Sequence, residues 1–309
     1  MYFPYLRGKR FELSALKTIS SLLINYPDKV SPIIEPVKFS KDLQRSVTHL
    51  LQKNINFTLI INPDTGEANT GELIDYLLEN FKDTKNYQIG LIVDIDTNIE
   101  EYLEKIEQLN NKGITLIYKA VRDDVKRLIE IITSKYEIIY NVVYIEKTGP
   151  RFYQQIPPKT VILLEDHFKK LETNAKYLDI EKTTFSDEHI QFSRDNFKGF
   201  SDFSIIGDNY MESGGPAKAV VIHFPDFDNE RKLIVHHFTS DNNTDTSNPG
   251  GKFLEALDKW NGWYEASTIE TIGSRQYKDY HTRQHYPGLG TLKKNSIEHH
   301  IELLIKFLS

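Results

Sequence analysis

The sequence contains no cysteine, which excludes disulfides, thiolate zinc sites, iron–sulfur clusters and a thiol nucleophile together. No apolar run approaches the roughly 18 residues a membrane-spanning helix needs. The first residues, MYFPYLRGKR, are too polar and too aromatic for a secretory signal. A cytoplasmic location without membrane association is therefore expected. An excess of one charge is also missing. The 38 Lys and Arg stand against 44 Asp and Glu, for a formal net charge of −6, whereas a dedicated nucleic-acid binder usually carries a basic surplus. A local basic patch is still compatible with that balance. Several catalytic signatures are absent too: there is no G-x-S-x-G elbow, P-loop or dinucleotide fingerprint.

What is present is a rhythm. Apolar, β-rich runs begin near Val30, Asn56, Ile89, Ile114, Glu137 and Thr160, with YFPYL as an earlier candidate. Most are continuous rather than alternating, as in parallel strands covered on both faces. Helical patterns lie between them: Ile99, Tyr102, Leu103 and Ile106 behind a Thr97/Glu100 capping box, and Val125, Leu128, Ile129 and Ile132. Repeats of roughly 23–32 residues are βα units. Seven or eight of them in about 250 residues predict a TIM-barrel-like (β/α)8 fold, with a doubly wound open parallel sheet as the alternative, because periodicity does not show closure. One domain is expected over 1–309, with regular βα units in 1–186. The last barrel elements, a hairpin (AKAVVIHF and RKLIVHHF), a helix opened by Pro249 and a C-terminal helix are expected in 187–309.

The spacing Tyr2-x-Pro4-x-Leu6-Arg7-x-Lys9-x-x-Glu12-x-x-Ala15-Leu16, followed by PIIEP (Pro32 to Pro36) and later by GFSDFSIIGD, resembles the phage beta-protein family. The segments MYFPYLRGK, GPAKAVVIHF, PGGKFLEAL and PGLGT are similar to a bacterial branch of it. The resemblance implies a TIM-barrel-like fold. It also implies a setting beside a second small gene, in variable genome regions that carry phage-defence and bacteriocin genes. It carries over no catalytic residue.

Ligands of parallel βα folds bind at the carboxyl ends of the strands. The polar residues expected there are Arg7 and Lys9, Glu35, Asn62 and Asp64, Asp94 and Asp96, Lys119 and Arg122, Glu165-Asp166-His167, and Asp208. Converging carboxylates with cations among them could hold Mg²⁺ and a phosphate-bearing ligand. Asp94, Asp96 and Asp208 are the candidate metal ligands. Asp94 and Asp96, two apart, are expected on one face of a strand. Glu35, inside the apolar run PIIEPV, is expected to be buried and paired, metal-bound or protonated. Against this, strand-end carboxylates often cap the next helix, as Asp96 could.

Gly288, Gly290 and Lys293 belong to a GLGT-x-KK stretch expected before the last helix, where backbone amides and lysines suit an anion. A tight turn explains the same residues. His281 and His285, four apart, would share a helix face, without the glutamate of a zincin motif. Arg and Lys from 275 to 294, interleaved with Tyr277, Tyr280 and Tyr286, could stack single-stranded nucleic acid, or form a solvated face or protein interface.

Two functions follow as expectations. The first is an interaction or sensor component of a bacterial accessory system, linked to phage defence or bacteriocins. It would act with the neighbouring gene's product or as a homo-oligomer, through the aromatic surface candidates Tyr2, Phe3, Tyr5, Trp260, Trp263 and Tyr264. The second is a metal-assisted enzyme acting on a nucleotide or nucleic acid. In it Glu35, Asp94, Asp96 and Glu165 would bind metal, Lys119 and Arg7 would steady phosphate, and His167 would be the acid or base.

Overall fold

Short runs, most of them apolar, form the strands of the chain. In the computed structural model, which describes residues 1–168, 170–211, 218–241, 244–264 and 270–309, they are β1 (Tyr2–Leu6), β2 (Ile33–Ile34), β3 (Thr58–Ile60), β4 (Gln88–Val93), β5 (Gly113–Tyr118), β6 (Glu137–Tyr144), β7 (Val161–Glu165), β8 (Lys182–Ser186), β9 (Gly199–Asp202), β10 (Val221–Phe227) and β11 (Leu233–Thr239). Strands β1 to β7 and β9 pair in parallel and close into a barrel. The seam is made by β9, which sets Phe200 opposite Leu163 of β7 and Ser201 opposite Phe3 of β1. Closure excludes the open-sheet alternative and makes the fold TIM-barrel-like, with helices around the parallel strands.

The continuous apolar runs are explained by their two buried faces. Phe3, Tyr5, Ile33, Ile60, Ile92, Ile117, Val142, Tyr144, Ile162, Leu164 and Phe203 fill the barrel. Their outward neighbours, such as Leu6, Ile34, Leu59, Val93 and Leu163, pack under the helices.

The hairpin is present as β10 and β11, with His223 opposite His237. A third strand, β8, pairs with β11; its polar sequence KTTFS hides it from a hydrophobic pattern. Helices Pro249–Tyr264 and Leu289–Leu308 pack on this sheet, and Ile272–Arg283 packs on both of them. Their shared core holds Trp260, Tyr264 and Tyr277 with Phe224 and Phe253.

Burial corrects two expectations. Tyr2, Phe3, Tyr5, Trp260 and Tyr264 are buried side chains, not surface aromatics, and Trp263 is half-buried beside Phe224. Tyr277 is likewise buried, its hydroxyl bonded to Leu292 O and Ser296, so it stacks no nucleic acid. The helix Ile272–Arg283 ends before His285, with Gln284 left-handed, so His281 and His285 share no helix face. His281 instead meets Asp258 at 3.1 Å. The Thr97/Glu100 box does not form. Asn98 is the N-cap of helix Ile99–Lys105, and Thr97 Oγ1 accepts from the Asp94 amide at 2.9 Å. No helix among the described residues is long and apolar enough to cross a membrane.

Candidate functional site

Strand parity decides which polar residues meet at the barrel mouth, because side chains two apart share a face. Phe3 and Tyr5 point inward, so Arg7 continues inward at the end of β1; Ile33 does the same for Glu35, and Ile117 for Lys119. Leu164 points inward, so Asp166 follows it and Glu165 faces the other way.

These residues form one connected network. Glu35 is fully buried and its carboxylate takes four donors: the Tyr5 hydroxyl at 2.5 Å, an Arg7 guanidinium nitrogen, Lys119 Nζ at 3.3 Å and the Asp64 amide at 3.3 Å. Lys119 also reaches Asp64 Oδ1 at 2.9 Å. The other Arg7 nitrogen pairs with Asp208, whose Oδ2 accepts from Tyr144 at 2.8 Å and whose amide donates to Asp166 at 2.9 Å. Burial pushes the Glu35 carboxyl up, against the pull of Lys119 and Arg7. At Asp64 burial is overcome by its side-chain hydrogen bonding with Glu35, Lys119 and Thr65 and by the Lys119 charge, and the carboxyl drops to about 2.

Beside the network opens a cavity of about 310 Å³. Its cations are Arg7, Lys9, Lys170 and Lys293, and Glu12 is the acid among its described lining residues. Four separate segments supply the cations: the end of β1, the following turn, the loop after β7 and the helix Leu289–Leu308. The loop after β9 adds Gly207, Asn209 and Tyr210.

Local sequence explains the convergence. Gly8, at φ +64°, turns the chain between Arg7 and Lys9, where a Cβ would stand 3.2 Å from Pro36 Cα. The turn sends Arg7 into the mouth and Lys9 to the cavity, where it donates to Met211 O and lies 4.6 Å from the Tyr210 ring centroid. Gly290 lets the last helix press on Phe11, whose ring a Cβ would overlap. The close approach brings Lys293 to Glu12. Lys293 is exposed, but to the concave wall of the cavity. Desolvation there and the nearby Lys9 and Lys170 lower its ammonium below the usual lysine value, with Glu12 opposing. Glu12 is 1% exposed; burial raises its carboxyl, with Lys293 and Lys9 opposing.

The structure therefore brings together Arg7, Glu35, Lys119 and Asp208 in the network, and Arg7, Lys9 and Lys293 at the cavity. It separates the others. Strand β4 ends at Val93, so Asp94 and Asp96 sit in an exposed turn rather than on one strand face. Asp94 Oδ1 is bound to the Ile95 amide. Arg122 clamps Asp124 and the carbonyls of Asp94 and Thr97, a structural tie beside the mouth network. Glu165 lies outside the barrel with His167, whose ring is 5.4 Å from Phe185 of β8. Burial raises Glu165, His167 opposes, and Glu146 and Asp187 add to the rise. Gly288 is the N-cap of the last helix, so Gly290 and Lys293 lie inside it, not in a loop before it.

Asp94, Asp96 and Asp208 do not converge, and among the described residues no group of three or more His, Asp or Glu is arranged to hold a metal ion. Asn62 is spent as a strand mimic, exchanging two hydrogen bonds with the Ile92 backbone. The site also draws on Tyr5, Tyr144, Glu12, Lys170 and Tyr210, which a search for charged strand-end residues does not pick out. Parity signals the first two, and the Lys9–Glu12 spacing the third. Nothing local marks Lys170 or Tyr210. No protein family, curated protein or solved structure matches the chain.

Proposed function

We propose that this protein is a binding component that takes a phosphate-bearing small molecule in the cavity beside the barrel mouth. The observation that carries the reading is the meeting of Arg7, Lys9, Lys170 and Lys293 on one cavity with Glu12 as the acid among its described lining residues. Arg7 is matched by Glu35 and Asp208, but Lys9 and Lys170 both press on the Lys293 ammonium, and an anion relieves that repulsion. The place fits as well. The cavity is lined by the loops after β7 and β9, the seventh and eighth barrel strands, and (β/α)8 barrels frequently hold phosphate there; that support is an analogy of fold. The reading keeps the phosphate of the enzymatic expectation and leaves out its metal, because Asp94, Asp96 and Glu165 stand apart from Glu35.

At the level of biology we propose a sensor that passes ligand occupancy to the product of the neighbouring gene, in an accessory system of the phage-defence or bacteriocin kind. The resemblance supports that setting, and the cavity supplies what such a sensor would read.

Inorganic phosphate and small phosphate esters should raise the thermal midpoint of the protein. A ligand at 100 times its Kd adds about 2.7 kcal/mol to the folded state. The double variant Lys9→Met/Lys293→Met should weaken binding by at least about tenfold, as expected for losing two charge-assisted contacts. Asp94→Ala should bind as the parent does. Unchanged binding in the double variant would sink the reading, as would the lack of any shift with phosphate. Co-expression with the neighbouring product should yield a complex whose stability depends on phosphate; a complex indifferent to it would remove the sensor role.

A further inference from the structure

Glu12 is out of place in a cavity built of cations. It is 1% exposed and lines the wall. Its Oε2 accepts from the Lys9 amide at 3.4 Å, closing a capping box on the helix Arg10–Thr18, while Oε1 has no donor at hydrogen-bond geometry among the described residues. A buried acceptor without a donor is costly, and native structures seldom keep one without a use. As a counter-ion alone, Glu12 would weaken the anion site it belongs to.

We infer that Glu12 accepts a hydrogen bond from a hydroxyl on the ligand, so that the cavity takes a small hydroxylated phosphomonoester. The inference rests on the anion reading above and narrows it. The donor is a neutral hydroxyl rather than an amine, because an ammonium would meet Lys9, Lys170 and Lys293. The ester is small. Ligand pockets run from roughly 300 to 1,000 Å³, and about 310 Å³ suits a phosphate on a short polyol and not a dinucleotide. The phosphate faces Lys9, Lys170 and Lys293, Arg7 being held by Glu35 and Asp208, and the hydroxyl turns toward the wall that Glu12 shares with Lys293. A site with a buried acceptor rejects a ligand that lacks the matching donor, since the acceptor then stays unpaired.

The test compares glycerol 3-phosphate with n-propyl phosphate, which share the phosphate and the carbon count and differ in hydroxyls, by titration calorimetry with inorganic phosphate alongside. Glycerol 3-phosphate should bind at least about tenfold tighter than propyl phosphate. Glu12→Met should bring the two within about twofold, mainly by weakening glycerol 3-phosphate. Glu12→Gln, which keeps an acceptor, should retain part of the preference. Equal affinities in the parent protein overturn the inference and leave the anion reading in place. A preference that survives Glu12→Met undiminished also overturns it. Failure of all three ligands to bind overturns the anion reading itself. Should both variants fail to fold, the comparison on the parent protein still decides.

Discussion

Glu35→Ala should cost the fold about 3–5 kcal/mol, the usual effect of removing one member of a buried ion pair. Glu35 is fully buried, and the side chains of Arg7 and Lys119 are each 7% exposed. Deleting the carboxylate leaves two cations and the Tyr5 hydroxyl facing one another without their shared acceptor. Lys119 keeps Asp64 and Arg7 keeps Asp208, so the loss should not exceed that range. Urea denaturation should show it as a lower midpoint with an unchanged slope. The thermal midpoint should fall by about 10 °C, at roughly 2–4 °C per kcal/mol for a large domain. Glu35→Leu combined with Lys119→Met should recover part of the loss, because both buried charges leave together. Asp94→Ala, in its exposed turn, should stay within about 0.5 kcal/mol of the parent. A Glu35→Ala loss below about 1 kcal/mol would mean that the mouth network is solvated and not a buried tie.

Acid should act on the fold through its neutral histidines. His299 is fully buried. Its Nε2 donates to Pro225 O and its Nδ1 accepts from Thr271, both at 2.7 Å, and burial lowers the imidazole to about 3. His223 and His237 face each other Nδ1 to Nδ1 at 2.8 Å. One must be donor and the other acceptor, so a second proton there would set N–H against N–H. Burial, with the nearby His237 and Lys170, holds His223 at about 3, and burial with the nearby His236 holds His237 at about 4.

A folded pKa below the unfolded 6.5 means the unfolded chain takes the proton first. Each such histidine therefore leaves stability intact above pH 6.5 and removes it as pH falls toward its folded value, by about 1.4 kcal/mol per pH unit. Glu188 works in the opposite sense. Burial, with Glu165 and Asp187, raises it to about 7, so the folded state takes its proton first and gains stability as pH falls from about 7 toward 4.5.

Variants separate the two contributions. Between pH 6.5 and 5, stability measured by urea denaturation should fall less steeply in His299→Gln than in the parent, by about 1.4 kcal/mol per pH unit. It should fall more steeply in Glu188→Gln, by up to about 1 kcal/mol per unit, since that group is partly solvated. An identical pH slope in His299→Gln and parent would show that His299 already carries its proton in the folded state.

The order of strands and helices was legible in the chain because a parallel barrel buries both faces of each strand. Runs such as ITLIY and TVILLE are continuous for that reason. The strand-end residues Arg7, Lys9, Glu35, Lys119 and Asp208 could be named from position alone. The chain also carries a finer distinction: alternation from Leu164 turns Asp166 toward the mouth and Glu165 away. Asp94 has the inward parity of Ile92, yet β4 stops one residue short of it, and local pattern does not resolve a strand end to that precision.

The remaining features belong to tertiary structure alone. Closure is a property of the β9–β1 pairing, between residues about 200 apart in sequence, and no local period encodes it. The polar strand β8 is held by its partner β11 and not by its own apolarity. The cavity joins Lys9 and Glu12 to Lys293 only because Gly290 admits the ring of Phe11. Residue types and their two- and 3.6-residue periods are written into the chain, since they follow from the geometry of one element. Which distant side chains share a charge, a wall or a proton follows from how the elements pack. Here that packing put Lys170 and Lys293 beside Arg7 and left Asp94 in solvent.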